Sequence, residues 1–166
     1  IEADKVVVIP SSVTDGGHGS SEASPPPSHD PQVEVEPLKV LVYSDDRGVR
    51  QQVLSSLGRR PDQGLPPVSY VECATEPMVF AQVDAQRFDL VILDGEATPA
   101  GGMGIARQLK DEIYQCPPIL VLIGRPQDGW LATWSRADAV VSHPLDPRTL
   151  AKAAAELLKR RIALPS

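Results

Sequence analysis

The chain of 166 residues is long enough for one domain with an appendage, but not for two full hydrophobic cores. Its 16 Lys and Arg against 22 Asp and Glu leave a net charge of −6, which excludes a typical nucleic-acid-binding domain. No apolar run approaches the length of a membrane span, the first residues lack a signal pattern, and two cysteines, Cys73 and Cys116, suit free thiols in a reducing compartment.

Residues 1–37 form an acidic arm that is rich in Ser, Pro and Gly. They carry the whole net charge of −6, whereas the remainder of the chain is neutral. With so little apolar surface to bury, this composition cannot offset its own ordering entropy, so we expect an extended arm that is ordered by a partner. Its apolar island is the predicted partner-binding anchor and consists of Val6, Val7, Val8 and Ile9.

From residue 38 onward, short apolar runs alternate with helically spaced apolar residues. The runs predict strands over residues 38–43, 68–73, 89–94, 119–123 and 139–141. The spaced segments predict helices from 49 to a stop at Gly58, from 76 to about 86, and from 103 to about 113. Two further helices are predicted after capping residues, a short one from Asp128 to 136 and a last one from Asp146 to about 161.

Five strands alternating with five helices predict an α/β domain with a doubly wound parallel sheet over residues 38–161, followed by a stub of residues 162–166. In such sheets the functional crevice lies beyond the carboxyl ends of the strands. The residues expected there are Ser44, Asp45, Asp46, Asp94, Gly124, His143 and Pro144.

Four stretches of the domain resemble the receiver domains of bacterial response regulators, in order and spacing. They read VLVYSDDRGVR, FDLVILDGEATPAGGMG, PPILVLIGR and ADAVVSHPLDP. The resemblance implies a flavodoxin-like, five-stranded sheet of order 2-1-3-4-5 and a cis peptide bond into Pro144. It also implies a phosphorylation site that uses an acidic pair, a phosphoacceptor Asp, Mg²⁺, a hydroxyl, a Lys and a swinging aromatic residue.

The acidic part of that site is incomplete in this chain. Asp94 stands at the phosphoacceptor position, and Asp45, followed by Asp46, matches the second acid of the pair. Ser44 occupies the place of the first acid. With one carboxylate missing, we expect no resident metal and only weak Mg²⁺ binding at Asp45 and Asp94.

The switch part of the site is degenerate as well. Ile123 replaces the hydroxyl residue, Val140 the swinging aromatic residue, and His143 the Lys. An imidazole is a poorer partner for a phosphoryl dianion than an ammonium group. We therefore interpret Asp94 as a vestigial phosphoacceptor in a protein without catalytic residues or cofactors.

Three other features have a simpler and a functional interpretation. The PAGGMG segment at residues 99–104 lacks a Walker Lys and is interpreted as a loop. No Cys or His spacing surrounds His143, so we interpret it as structural rather than as a metal ligand. Trp130 and Trp134 share one face of a short helix, where one can belong to the core and the other can anchor a partner.

Within the family, the chain is similar to an orphan receiver-like protein of actinobacteria that is associated with the proton-pumping respiratory NADH dehydrogenase (complex I). The stretches that carry this resemblance are LVYSDD, YVECATEPMV, LDGEATPAGGMGIARQLKDE, CPPILVL, GRPQD and WLATWSRA. It implies an accessory subunit that contacts hydrophilic subunits of the complex, with no nucleic-acid partner and no membrane insertion. Its place would be cytoplasmic, at the inner face of the cell membrane.

Three functional hypotheses follow. The first is a pseudo-receiver that docks through its arm and one face of the domain, independently of phosphorylation. The second is a single-domain response regulator that a histidine kinase phosphorylates on Asp94. The third, an enzyme on a flavodoxin-like scaffold, ranks last because the acidic cluster includes no nucleophile–base pair. No effector domain is expected after the last helix, so a transcription-factor role lacks its DNA-binding part.

Overall fold

A computed structural model describes residues 36–163 and, ahead of them, the backbone of one short strand at residues 6–9. A 3₁₀ turn, Pro126–Gly129, leads into the fourth helix. The elements in chain order are β1 (Val6–Ile9), β2 (Leu38–Tyr43), α1 (Arg47–Leu57), β3 (Val68–Cys73), α2 (Glu76–Ala85), β4 (Leu90–Asp94), α3 (Gly102–Glu112), β5 (Ile119–Ile123), α4 (Trp130–Ser135), β6 (Ala139–Ser142) and α5 (Pro147–Ala163).

The sheet has the strand order β1-β3-β2-β4-β5-β6. The strands from β2 to β6 are parallel, which confirms the expected five-stranded sheet of order 2-1-3-4-5. The sixth strand, β1, was not predicted. It pairs antiparallel with β3 at the edge of the sheet, with Val6 opposite Cys73 and Ile9 opposite Tyr70.

β1 gives part of the predicted arm a place in the protein's own sheet. Without β1, β3 would be an edge strand with a row of unpaired backbone groups, and β-branched residues suit the pairing that covers this row. The role of Val6–Ile9 in partner binding stays a prediction. Residues 1–5 and 10–35, on which the rest of the predicted extended arm falls, lie outside the described residues, as do residues 164–166.

Alternating residues of the parallel strands enter two separate hydrophobic cores, one on each face of the sheet. Val40 and Val42 of β2 pack with α1 and α5, whereas Leu41 and Tyr43 of the same strand pack with α2 and α3. Burial on both faces explains why these strands are continuous apolar runs. The same arrangement brings the carboxyl ends of β2, β4 and β5 to one edge, where the candidate site lies.

Most element boundaries agree with the sequence, and the differences have local causes. The chain does begin α5 after Asp146, whose carboxylate accepts a hydrogen bond from the Thr149 amide at 2.9 Å, but α5 continues two residues past the expected end, to Ala163. The predicted cap at Asp128 is wrong. Asp128 lies inside the 3₁₀ turn, where its carboxylate binds the Arg125 guanidinium at 3.1 Å instead of capping α4.

The cap of α5 predicts a specific acid sensitivity. Hydrogen bonds from the Thr149 amide and hydroxyl hold the pKa of Asp146 below its usual range. The stabilising contribution of this carboxylate is therefore complete above its unfolded-state pKa of about 3.9, and it is lost as the pH falls through the lower folded-state pKa. We expect Asp146→Ala to lower the melting temperature at neutral pH, because the helix loses its cap.

Asp146→Asn is the matched control, since an asparagine caps a helix but does not titrate. Melting temperatures recorded by circular dichroism between about pH 7 and about pH 2 measure both effects. At neutral pH the wild type should melt at a higher temperature than Asp146→Asn, because only the wild type has a charged cap. This difference in melting temperature should disappear as the solution becomes acidic. An advantage that is the same at all pH values would contradict the assignment.

Candidate functional site

Asp94 ends β4 with its carboxylate buried and fully engaged. The residue is 3% exposed. The Ser44 hydroxyl donates a hydrogen bond to Oδ2 of Asp94 at 2.7 Å, and the backbone amide of Glu96 donates to Oδ1 at 2.9 Å. Nε2 of His143 lies 3.8 Å from the same Oδ1. Both oxygens of the predicted phosphoacceptor therefore have partners from the protein itself.

Ser44 connects Asp94 to a buried ion pair below the site. Its side chain is fully buried, and its hydroxyl also accepts a hydrogen bond from the Asp46 amide at 3.0 Å. The Arg50 guanidinium donates to the Ser44 carbonyl oxygen at 2.7 Å and binds the Glu72 carboxylate at 2.9 Å. The side chains of this ion pair are only 13% and 5% exposed. α1 and β3 thus fix the backbone that places the Ser44 hydroxyl.

Each of the two predicted pocket acids accepts hydrogen bonds from its own donors. The Asp45 carboxylate accepts hydrogen bonds from the Thr98 amide and hydroxyl, each at 3.2 Å. The Asp46 carboxylate accepts a hydrogen bond from the Gly48 amide at 2.7 Å and caps α1. The sequence predicts an acidic pocket of Asp45, Asp46 and Asp94, and in the structure each of these carboxylates has a separate hydrogen-bond partner.

These partners decide the fit of Mg²⁺. A magnesium ion needs oxygen ligands in near-octahedral geometry, and in proteins carboxylates supply most of the charge. Here position 44 supplies a neutral hydroxyl, which already donates its hydrogen bond to Asp94. The Asp45 carboxylate already accepts a hydrogen bond from Thr98. Within residues 36–163, no group of three or more acidic, His or Cys side chains is arranged to hold a metal ion. The residues present do not fit a resident magnesium.

The degenerate switch positions lie where the sequence placed them. Ile123 is 3% exposed and packs in the apolar cluster under α2 and α3, and Val140 packs against the same cluster. The His143 amide donates to the Ile123 carbonyl oxygen at 2.8 Å, and the peptide bond from His143 to Pro144 is cis, as expected. The side chain of His143 is about one-quarter exposed at the rim of the site.

Glu96 is a site residue that the sequence analysis missed. Its carboxyl carbon would lie 2.8 Å from a Cβ placed on Gly124, so the carboxyl group rests directly on this glycine. Any larger residue at position 124 would displace it. The sequence contains part of the information needed to predict this contact, because Gly124 is expected in the crevice and Glu96 follows Asp94 by two residues. The loop geometry that brings them together is not visible in the sequence.

Neither tryptophan belongs to the core. Trp130 is 67% exposed and Trp134 is 46% exposed. The Arg107 guanidinium of α3 lies 5.0 Å from the ring centroid of Trp134 and donates a hydrogen bond to the Trp134 carbonyl oxygen at 2.7 Å. The core alternative that the sequence left open for one of them is excluded by this exposure. Both rings lie on the outer surface of α4, with one held by a cation–π contact.

The chain is similar to known response regulators in sequence and in fold. No family model matches the chain. It is 58% identical over 122 residues to a protein of Mycobacterium tuberculosis called "uncharacterized response regulatory protein", in each of two strains, and the match covers 74% of the chain and 92% of the relative.

Solved structures of low sequence identity share the fold. A response regulator from Chloroflexus aurantiacus has a TM-score of 0.64 at 19% identity, covering 75% of this chain and 100% of that one. The CheY-like receiver domain from Methanospirillum hungatei has a TM-score of 0.62 at 17% identity, covering 76% and 98%. No helix among the described residues is long and apolar enough to cross a membrane.

The ion pair below the site predicts a large stability difference between two superficially similar variants. Glu72→Ala leaves the buried Arg50 guanidinium without its counter-charge, which typically costs about 3–5 kcal/mol of unfolding free energy. Asp111→Ala breaks the ion pair with Arg136, whose side chains are about half exposed. That loss should not exceed about 1 kcal/mol. Urea unfolding curves of the three proteins measure both values, and equal losses would contradict the structural role of Arg50.

Proposed function

The chain belongs to the receiver family of bacterial response regulators, and on that premise we propose that it is a non-catalytic receiver that works as a docking subunit independently of phosphorylation. The observation that carries the proposal is the state of Asp94. Phosphorylation requires an oxygen of this carboxylate to attack a phosphorus atom. In this chain both oxygens accept hydrogen bonds, and the residue is almost completely buried.

The stabilising charges of phosphoryl transfer are also lacking. Catalysis of this transfer depends on positioned cations around the phosphoryl group. The site offers no magnesium-binding set among the described residues, and a histidine takes the place of the ammonium. The nearby carboxylates of Asp45 and Glu96 add negative charge at the rim, which opposes the approach of an anionic phosphodonor.

The response to phosphorylation would be missing as well. At the position of the hydroxyl that follows a new phosphoryl group, Ile123 offers no hydrogen-bond donor in its side chain. At the position of the swinging aromatic residue, Val140 packs against the core beneath α3. A carboxyl phosphate on Asp94 would therefore have no two-state element to bias.

Trp130 and Trp134 support a docking role for this domain. Large exposed aromatic residues are enriched at the centres of protein interfaces. Arg107 restrains the ring of Trp134, which reduces the entropy that the ring would lose on binding. We propose that the α4 face, defined by Trp130, Trp134 and Arg107, contacts a partner protein. The N-terminal anchor Val6–Ile9 pairs with β3 at the other edge of the sheet and is proposed as a second, separate contact.

We further propose that the partner is the peripheral arm of respiratory NADH:quinone oxidoreductase (complex I). The support for this choice is the sequence resemblance to the orphan receiver-like protein of actinobacteria described above. A subunit of that arm would lie at the cytoplasmic face of the membrane through its protein contacts and would not insert into the bilayer.

The two other hypotheses rest on less. The presence of Asp94 at the end of β4 favours phosphorylation by a histidine kinase, and the first experiment below decides between this and the docking role. An enzyme would need a reactive nucleophile, and neither cysteine is suited to be one. Burial raises the pKa of the Cys73 thiol to about 12, and burial also raises the pKa of Cys116, so that reactive thiolate is scarce at neutral pH.

Incubation with acetyl phosphate and Mg²⁺, followed by intact-mass measurement, tests phosphorylation. We expect no stable phosphoryl adduct on the wild type, because the carboxylate of Asp94 is occupied and the cations are missing. The triple variant Ser44→Asp/Ile123→Thr/His143→Lys restores the missing acid, hydroxyl and ammonium and should gain reactivity. Asp94→Asn in the same background provides the control without a phosphoacceptor. A stoichiometric adduct on wild-type Asp94 would establish the response-regulator alternative instead.

Binding of the full chain to the purified peripheral arm of complex I, measured by biolayer interferometry, tests docking. We expect Trp130→Ala and Trp134→Ala each to weaken binding at least about tenfold, which is the usual loss for an interface anchor. Tyr114→Ala is the matched control, because Tyr114 is an aromatic residue that is 88% exposed and does not belong to α4 or to the defined α4 face. Asp94→Asn should bind like the wild type. Equal losses in all four variants, or no binding at all, would contradict the proposal.

A further inference from the structure

Six basic residues lie at the end of the sheet opposite to Asp94. In βαβ units the helices return antiparallel to the strands, so the helix ends and the loops that follow them gather at the amino-terminal edge of the parallel strands. This surface is called the basic pole here, and it is formed by Arg59, Arg60, Arg87, Lys159, Arg160 and Arg161.

Contacts between the elements bring these residues together. Nζ of Lys159 on α5 lies 3.0 Å from Oδ2 of Asp62, in the loop after α1. The Arg161 guanidinium donates a hydrogen bond to the Phe88 carbonyl oxygen at 3.4 Å, in the loop after α2. The end of α5 is therefore enclosed by the loops that carry Arg59, Arg60 and Arg87.

Three acidic residues lie among the six basic residues of the pole: Asp62 binds Lys159, Asp89 lies 3.9 Å from Arg161, and Asp84 is exposed in the last turn of α2. The basic residues still outnumber them by three. Arg59, Arg60, Arg87 and Arg160 are exposed, and none forms an ion pair with another described residue. Arg160 and Arg161 complement the dipole of α5, in whose last turn they lie. The remaining arginines lie beyond the ends of α1 and α2 and need another explanation.

Both ends of the acidic segment at residues 10–37 meet this pole. At one end, Ile9 of β1 pairs with Tyr70, whose hydroxyl donates to the Gly58 carbonyl oxygen next to Arg59. At the other end, the Leu38 amide donates to the Pro67 carbonyl oxygen at 2.9 Å. The antiparallel direction of β1 is what places the first end here.

The charge and length of the segment fit this surface. Residues 10–37 contain no Lys or Arg, and their acidic residues are Asp15, Glu22, Asp30, Glu34 and Glu36. The two ends are separated by two strand spacings, about 10 Å, whereas a chain of this length extends to about 90 Å. Because both flanking residues belong to the same chain, the carboxylates between them are held at an effective concentration of about millimolar near the pole.

We propose that the basic pole is a binding surface whose occupant is the acidic segment 10–37 of the same chain. The attraction between the two holds β1 at the edge of β3 and covers the pole. In this proposal the acidic part of the predicted arm, residues 10–37, binds the protein's own domain, and the role of Val6–Ile9 in partner binding is a separate prediction. The surface is distinct from the α4 face, so it adds a second, electrostatic interaction to the docking function.

Paramagnetic relaxation in the full chain tests the proposal. A nitroxide is attached at position 20 through Ser20→Cys, with Cys116→Ser to avoid labelling there and with Cys73 protected by burial. We expect the relaxation of the amides of residues 59, 60, 87 and 160 to be at least about twofold stronger in about 20 mM than in about 500 mM NaCl, because salt screens the attraction between exposed charges.

Two double variants with equal loss of charge make the test specific. Arg60→Gln/Arg160→Gln removes charge from the basic pole and should reduce the low-salt relaxation to the high-salt level. Arg47→Gln/Arg148→Gln removes two exposed arginines at the start of α1 and of α5, near the opposite end, and should leave the relaxation unchanged.

Two results would overturn the proposal. The first is a relaxation pattern that depends neither on salt nor on the arginines of the pole. The second is the same pattern in a mixture of two proteins, one that carries the nitroxide but no ¹⁵N and one that carries ¹⁵N but no nitroxide. That result would place the segment on a second copy of the chain.

Discussion

The hydrogen bond from Ser44 to Asp94 is the interaction on which the chemistry of this domain depends. A buried carboxylate must be compensated, because an unpaired charge in a protein interior is very costly. In a working receiver a second carboxylate beside it increases that cost and requires a metal ion and an ammonium group. A neutral hydroxyl at position 44 removes the added charge and supplies a donor at 2.7 Å instead. With the Glu96 amide on the other oxygen, both oxygens of Asp94 have donors from the protein itself.

The acids of the candidate site and the unpaired arginines of the basic pole lie at opposite ends of the domain, although each end also holds residues of the other sign. Acidic residues of the candidate site follow β2 and β4, whereas unpaired arginines follow α1 and α2 at the other edge. Parallel topology produces this separation, since strand ends and helix ends collect at opposite edges of the sheet. The direction of β1 then decides which end an acidic segment of the chain reaches. Because β1 is antiparallel to β3, its last residue, Ile9, lies toward the end of the sheet that carries the basic pole.

The core strands could be predicted from sequence because burial on both faces leaves an unbroken apolar run. This holds for β2 and β3, whose bounds agree with the predicted 38–43 and 68–73. β1 could not be predicted, because its four residues are isolated in the chain and acquire a partner only when β3 presents a free edge. Exposure of both Trp130 and Trp134 follows from the shortness of α4 and its preceding 3₁₀ turn, which together leave one face outside. The position of Asp94 was predictable from the strand pattern, but its partners depend on loop geometry.

The acidic residues of the site have a structural task even without phosphorylation. The Asp94 carboxylate accepts from the amide two residues later, and the Ser44 hydroxyl and the Asp46 carboxylate do the same at positions 46 and 48. Side chains of Asp and Ser stabilise turns in this way, because they bind backbone groups that no strand or helix satisfies. Each strand that ends at the crevice must turn into a loop or helix there. A residue pattern that resembles a phosphorylation site thus also stabilises the turns of this fold, and its presence alone is weak evidence for the activity.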